Sequence, residues 1–278
     1  MTALHSPAGV NRPTPSRVKR TRPTSLNWHF VDTDAAAAAR ARLAASHVCS
    51  EREKAPRSQI YYPPKRTSEE TIDDMRCGAS VDAIVTRNHY GSLVLNAYQA
   101  LFIDVDMTGT SHPSRFGNSS RSGVPAPWQT TFDDLCTVLA SERNTGFRIY
   151  RTAAGFRILA ITQEFEPGSE PAIALMNSVG ADSAFVRLCG TQQTFRARLT
   201  PKPWRCGAME PPNQFPRESA DEQHAFAEWL ARYDNACRDR ATCQFLAHVG
   251  PREMHQRLAP IVDFHDRATK SYEALELA

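Results

Sequence analysis

Three residues, Ala153, Ala154 and Gly155, separate two strand-like segments, and this short link restricts the fold more than any other feature of the chain. The segments at residues 147–152 and 156–162 are rich in the aromatic and β-branched residues that favour strands. A link this short can close a hairpin, but it cannot carry the long crossover that joins parallel strands. The sequence therefore predicts an antiparallel pair.

The segments around this hairpin alternate between strand and helix patterns. In chain order we predict a strand at 100–106, a helix at 131–141, the hairpin, a helix at 171–180, and strands at 185–189 and 194–199. Apolar residues at helical spacing indicate the first helix, and Thr131 can cap its start. This order predicts a compact α+β domain over residues 97–199 with a strand–helix–strand–strand–helix–strand (βαββαβ) core.

The rest of the chain divides around this core by composition. Residues 1–25 contain five basic residues and no acid, and their Pro, Ser and Thr content predicts a disordered basic tail. Residues 26–96 are interpreted as a small N-terminal α/β annex, with a strand at 28–31 and a helix through the alanine run to about residue 45. The core then takes residues 97–205. Residues 206–278 are interpreted as a helical C-terminal extension, which contains a Ser219-x-x-Glu222 capping box.

The sequence argues against a membrane-spanning protein and against a secreted one. The chain of 278 residues has no run of about 18 apolar residues, which a membrane-spanning helix would need. Its N-terminus lacks the apolar stretch of a secretory signal, so a cytoplasmic location is expected. The seven cysteines are an odd number at irregular spacings and include no C-x-x-C pair. In a chain of this size and setting, a disulfide framework is not expected. Cys189, Cys206, Cys237 and Cys243 could surround a zinc ion, but their irregular spacing favours free thiols.

The predicted strand at residues 100–106 carries two acids, Asp104 and Asp106, at alternate positions. Alternate residues of a strand share one face, so both carboxylates point the same way. We expect both core helices on the other face, which leaves the acidic face open, since burying two like charges is costly. Two carboxylates about 7 Å apart can bind a divalent cation, which can neutralise a triphosphate. A solvated strand end that pairs with nearby arginines is the alternative.

The βαββαβ order with Asp-x-Asp on its first strand resembles the archaeo-eukaryotic primase superfamily, which includes primase-polymerases, over about residues 90–200. The resemblance implies an RNA-recognition-type, palm-like core that binds a nucleoside triphosphate and nucleic acid. It also implies Mg²⁺ or Mn²⁺ on Asp104 and Asp106, Asp182 as a third catalytic acid, and nucleotidyl transfer. The family places a histidine after a small-residue turn, and here Arg157 takes that position. Arg157 could hold a phosphate bidentately or neutralise the carboxylates.

Residues 183–209 contain no acid and carry a run of basic residues. The basic residues are Arg187, Arg196, Arg198, Lys202 and Arg205. Aromatic residues are interleaved with them, a pattern that suits a nucleic-acid backbone with stacked bases. Together with Arg157 they are the predicted nucleotide or nucleic-acid contacts. The alternative is an arginine face that pairs with acids such as Asp104 and Asp182.

Two other functions stay open. The first is a non-catalytic nucleic-acid-binding module on the same fold. The second follows from residues 104–108, which also resemble the first motif of haloacid-dehalogenase-like phosphatases, with Asp104 as nucleophile and Asp106 as acid–base. That fold requires a parallel sheet, so the strand pairing at Gly155 discriminates between the two families.

Overall fold

The computed structural model describes residues 34–44, 69–77, 80–107 and 127–278, and it confirms the α+β class with mixed helices and largely antiparallel sheets. The helices are α1 at 34–44, α2 Pro127–Ala140, α3 Glu170–Ser178, α4 Ser183–Gln192, α5 Ala220–Ala236 and α6 Ala259–Ala268. The strands are β1 Glu70–Cys77, β2 Ser80–Arg87, β3 Leu93–Ala97, β4 Phe102–Asp106, β5 Phe147–Thr152, β6 Gly155–Ala160, β7 Phe195–Arg198, β8 Arg240–Ala241, β9 Cys243–Val249 and β10 Glu276–Leu277. Among the described helices, none has the length and apolarity to span a bilayer.

The Asp-x-Asp strand lies in a four-stranded sheet with the order β4–β6–β5–β9, in which every neighbouring pair is antiparallel. The predicted hairpin of β5 and β6 is confirmed, with Ile149 opposite Ile158. Gly155 opens β6 at a point where an added Cβ would lie 2.0 Å from the carbonyl oxygen of Val105. This pairing removes the parallel crossover that the phosphatase alternative requires at this position.

The second four-stranded sheet has the order β1–β2–β3–β7 and is also antiparallel. The sequence predicts residues 194–199 as the last strand of the core, but β7 forms its ladder with β3, where Arg196 lies opposite Asn96. Hydrogen bonds therefore cross the predicted boundary between annex and core. A short parallel pair of β8 and β10 completes the described strands.

One continuous cluster of buried apolar residues joins both four-stranded sheets to helices α1, α2, α3, α4 and α6. A separate, smaller cluster forms around Phe226, Trp229 and Tyr233 of α5. Helix α2 covers one face of the β4–β6–β5–β9 sheet, where Phe132 packs 6.1 Å from Phe156 between ring centroids. Helix α1 joins this layer through Arg42, whose Nε lies 2.9 Å from an Asp134 carboxylate oxygen. This arrangement agrees with the helix predicted in the alanine run.

Some predicted elements are wrong. Residues 185–189, predicted as a strand, lie inside α4. Helix α2 begins at Pro127, so Thr131 is inside the helix and does not cap it. Residues 206–278 include the capping box, in which Ser219 and Glu222 bond each other's backbone N–H, but they also contain β8, β9 and β10. The last helix, which the sequence predicts from residue 261 to about residue 275, ends at Ala268.

Three sequence predictions cannot be compared with the structure. The basic tail at 1–25 and the strand at 28–31 lie outside the described residues. The sequence also predicts a Gly/Ser/Pro-rich loop between residues 107 and 128, and residues 108–126 of that segment are likewise outside the described part of the chain.

Candidate functional site

Asp104 and Arg157 face each other on the neighbouring strands β4 and β6. The guanidinium donates two hydrogen bonds to the carboxylate, from Nε to Oδ1 at 2.7 Å and from Nη2 to Oδ2 at 3.0 Å. The Arg157 side chain is 3% exposed, whereas that of Asp104 is 37% exposed. The two residues thus form a bidentate ion pair with a buried cation and an anion at the rim of the sheet.

Arg157 has further partners inside the protein. Its Nη1 donates to the carbonyl oxygen of Arg198 at 2.7 Å and lies 3.4 Å from Nε2 of His265. Burial lowers the pKa of Arg157, but the charge and hydrogen bonds of Asp104 outweigh burial and raise it above its ordinary value. The guanidinium therefore stays charged and depends on Asp104 as its counter-ion.

Helix α6 packs on the sheet face that the sequence predicts to be open. The Asp266 carboxylate accepts hydrogen bonds from Tyr150 Oη at 2.7 Å and from Arg148 Nη2 at 2.6 Å. The His265 ring packs 5.1 Å from Phe102 and 5.0 Å from Tyr150 between centroids. The open-face prediction is therefore wrong for the part of the face that α6 covers, because the βαββαβ pattern does not include α6. Asp104 remains partly exposed at the edge of this cover.

Cys243, His265 and Asp266 are arranged like a nucleophile, base and acid. Cys243 Sγ lies 3.9 Å from His265 Nε2, and His265 Nδ1 lies 3.1 Å from Asp266 Oδ1. All three residues are buried, and burial raises the pKa of Cys243 to about 12 and lowers the pKa of His265. A buried neutral thiol is unreactive. We interpret this cluster as a structural polar network.

The other two predicted catalytic acids have separate positions. Asp106 is exposed at the end of β4, opposite Gly155. Asp182 caps α4, where its Oδ1 accepts a hydrogen bond from the Ala184 N–H at 2.9 Å. In the described part of the chain, no three His, Cys, Asp or Glu side chains form a group that could hold a metal ion. Asp104, Asp106 and Asp182 therefore form no such group.

The predicted basic contacts differ in their surroundings. Arg196 and Arg198 share a side of β7, as their alternation predicts. Arg196 donates to Glu69 Oε1 at 2.7 Å and to Gln192 Oε1 at 2.7 Å. In Arg198, by contrast, Nη1 is buried without a hydrogen-bond partner. Arg187 is exposed on α4. The alternative of an internally paired arginine thus fits Arg196, although its acid is Glu69.

A 3₁₀ turn at Pro203–Arg205 follows β7 and presents an indole ring to solvent. The Trp204 residue is 48% exposed. Tyr90 packs edge-on against its ring at 5.0 Å between centroids, and Lys202 Nζ lies 5.3 Å from the ring centroid. Arg205 ends the same turn. We call Tyr90, Lys202, Trp204 and Arg205 the Trp204 platform. Its indole ring is exposed, and Tyr90 and the two cations are partly exposed. Aromatic rings and cations of this kind stack on bases and contact phosphates.

Helix α5 supports the Trp204 platform from inside. Tyr233 Oη donates to the carbonyl oxygen of Pro201 at 2.6 Å, and Trp229 Nε1 donates to that of Met209 at 2.9 Å. Gly91, next to Tyr90, lies against the Trp229 ring. The sequence predicted Lys202 and Arg205 as contacts but missed Tyr90, because Tyr90 lies in the distant β2–β3 turn and carries no local signal.

The four cysteines considered for zinc do not meet at one point. Cys206 and Cys237 lie together, with 3.8 Å between their Sγ atoms. Cys189 and Cys243 are buried, and the latter contacts His265. None of the four forms a disulfide.

Comparisons of the chain with family models, with curated proteins and with solved structures found no significant match. The function must therefore be inferred from the geometry of the site.

Proposed function

We propose that this protein is a non-catalytic module for single-stranded nucleic acid, built on a divergent primase-like core. The observation that carries the proposal is the buried Arg157 guanidinium held bidentately by Asp104. In the primase superfamily the strand acids bind the catalytic metal. Here a side chain of this protein already neutralises the first acid, and the Trp204 platform offers a basic, aromatic surface instead.

The ion pair opposes metal binding for two reasons. Both Asp104 oxygens already accept hydrogen bonds from Arg157, so a cation competes with the guanidinium for them. If Asp104 turned away to a metal, the buried Arg157 would lose its counter-ion, and breaking a buried pair costs about 3–5 kcal/mol. A divalent cation at Asp104 would also lie near the positive guanidinium, which repels it.

The primase-like part of the proposal is supported by strand order. β4 and β5 each pair antiparallel with β6, so they run parallel to each other with β6 between them. Helix α2 joins β4 to β5, which makes a split βαβ unit of the kind found in RNA-recognition-type folds. The last strand departs from that pattern, because β7 pairs with β3, and the core is divergent in this respect.

The nucleic-acid proposal predicts which residues matter for affinity. Trp204→Ala is expected to weaken binding of a labelled single-stranded oligonucleotide by about 1–3 kcal/mol, the contribution of one stacked base. Lys202→Ala is expected to reduce the slope of log K against log salt by about 0.7, the value for one lost phosphate contact on a single strand. Fluorescence anisotropy at several salt concentrations measures both effects.

Arg187→Ala and Tyr272→Ala are matched controls for this experiment. Arg187 is an exposed cation of the same acid-free stretch, and Tyr272 is an exposed aromatic residue near the C-terminus. Neither belongs to the Trp204 platform, so both variants should bind like the wild type. Equal losses in the controls and in the platform variants would place the binding surface elsewhere. A wild-type protein that binds no single strand at low salt would refute the proposal.

Metal-dependent nucleotidyl transfer is the second candidate, favoured by one observation. Asp106 is exposed and Asp104 is partly exposed at alternate positions of β4, so their carboxylates share a face of the strand. If they bind Mg²⁺ or Mn²⁺ with a nucleoside triphosphate, these ligands should raise Tm, and Asp106→Asn should abolish the rise. We expect no rise beyond that of NaCl at equal ionic strength, as measured by calorimetry. A rise that depends on Asp106 would favour the enzyme.

A further inference from the structure

Two free thiols lie next to each other where the segment of the Trp204 platform meets the end of α5. Cys206 directly follows the 3₁₀ turn that carries Trp204, and Cys237 directly follows the last turn of α5. Their Sγ atoms are 3.8 Å apart, and both residues are partly exposed. Because an S–S bond is about 2.0 Å long, small side-chain rotations bring the two sulfur atoms within bonding distance.

The surroundings give the two thiols different reactivity. A hydrogen bond from Cys237, together with the positive charge of Arg240, lowers the pKa of Cys206 to about 7. The same hydrogen bond and burial raise the pKa of Cys237, which also lies at the negative end of the α5 dipole. Cys206 is therefore the better nucleophile at neutral pH, since an attacking thiol with a pKa near the ambient pH reacts fastest.

The other described thiols lack these properties. Cys136, Cys189 and Cys243 are buried, and burial raises the pKa of each to about 12. Buried neutral thiols resist oxidation. Among the cysteines whose side chains the structure describes, Cys206 and Cys237 are therefore the pair that combines access, contact and a thiolate.

We propose that Cys206 and Cys237 form a reversible redox site that a peroxide oxidises to an intramolecular disulfide. The Cys206 thiolate attacks one oxygen of hydrogen peroxide, and the O–O bond breaks. Hydroxide departs as the leaving group, and Cys206 becomes a sulfenic acid. Cys237 then attacks that sulfur, the S–S bond forms as the S–O bond breaks, and the departing oxygen leaves as water. The two thiols lose two electrons, which reduce the peroxide to water, and a dithiol reductant reverses the step.

The disulfide would connect the Trp204 platform covalently to α5. Cross-linking these segments restricts the unfolded chain, so oxidation should raise Tm by several degrees. It should also tighten binding of single-stranded nucleic acid, because a fixed Trp204 loses less freedom when a base stacks on it. This second effect rests on the proposed function, whereas the oxidation itself does not.

The test treats the reduced full-length chain with limiting hydrogen peroxide and then alkylates it under denaturing conditions. The expected product has two fewer alkylated thiols than the reduced chain, and peptide mapping joins Cys206 to Cys237. Cys237→Ser should stop at a Cys206 sulfenic acid that dimedone traps, whereas Cys206→Ser should form neither product. Cys136→Ser, a buried control, should behave like the wild type. A disulfide to any other cysteine, or oxidation of Cys206 that never yields the disulfide, would overturn the redox site.

Binding assays on the two redox forms separate this inference from the proposed function. If the disulfide forms and the oligonucleotide affinity rises, both the site and its effect on binding are supported. If the disulfide forms but affinity is unchanged, the regulatory effect is refuted and the redox site stands. If neither form binds nucleic acid, the proposed function fails, and peptide mapping still decides the redox site.

Discussion

Asp104→Asn is expected to lower the free energy of unfolding by about 2–4 kcal/mol, whereas Asp106→Asn should change it by less than about 0.5 kcal/mol. The first substitution leaves the Arg157 guanidinium, which is 3% exposed, without its counter-ion. We expect slightly less than the full cost of a broken buried pair, because Asp104 is partly exposed and Asn keeps one acceptor. Asp106 is an exposed residue of the same strand, so it controls for position and for the lost charge.

Urea denaturation monitored by circular dichroism measures this difference. A double-mutant cycle adds a sharper test, because Arg157→Met should cost less in the Asp104→Asn background than in the wild type if the two residues are coupled. Small and equal effects of Asp104→Asn and Asp106→Asn would show that Arg157 does not depend on Asp104. The loss of the Arg157 counter-ion would then no longer oppose metal binding at Asp104.

Gly91→Ala is expected to destabilise the protein by about 2–5 kcal/mol, against about 1 kcal/mol for Gly207→Ala. Both glycines have a φ of +79°, so an added methyl group meets the same backbone strain at each position. At Gly91 the new Cβ would lie 2.2 Å from the nearest atom of the Trp229 ring, whereas at Gly207 nothing lies within 4 Å. Trp229 is buried and stacks on Tyr233 at 5.0 Å, so the ring has little room to move.

Thermal unfolding of both variants checks the comparison, since the difference between them isolates the contact with Trp229. Near-ultraviolet circular dichroism of Gly91→Ala should also lose part of the tryptophan signal, because the ring must shift or the β2–β3 turn must open. Equal losses of stability in the two variants would mean that Trp229 moves aside at little cost.

The hairpin could be predicted from the sequence because its constraint is local. A three-residue link at Gly155 determines that β5 and β6 are antiparallel, whatever the rest of the chain does. Helices α2 and α5 could likewise be predicted, because their apolar residues recur at helical spacing. The Ser219 capping box also indicates the start of α5. Each of these elements is determined by residues close together in the sequence.

Asp182 illustrates a signal that was present but misinterpreted. An Asp followed by Ser and Ala is a good helix start, since its carboxylate accepts a hydrogen bond from a free N–H of the first turn. The strand-forming residues of 185–189 suggested a strand instead, and the resemblance suggested a catalytic role. In the structure Asp182 caps α4, so the cap preference outweighed the strand propensity of the residues that follow.

The burial of Arg157 could not be predicted, because it depends on distant segments. Arg157 lies opposite Asp104 on the neighbouring strand, so the two side chains share a face of the sheet. Whether that face is open depends on α6, which brings His265 and Asp266 onto it from the C-terminal part of the chain. The partner of β7 was missed for the same reason, since nothing in Phe195–Arg198 specifies β3 over β4.

The pairing of β5 with β9 has a consequence for synthesis on the ribosome. β5 emerges long before Cys243–Val249 is made, so one edge of β5 stays without its ladder partner while the intervening chain is translated. The hydrogen bonds from Arg148 and Tyr150 to Asp266 can form only later still, because Asp266 follows β9 in the chain. An unpaired strand edge is a template for association with other chains. Nascent chains of this protein, and products of premature termination before β9, should therefore depend on chaperones that shield the exposed edge of β5.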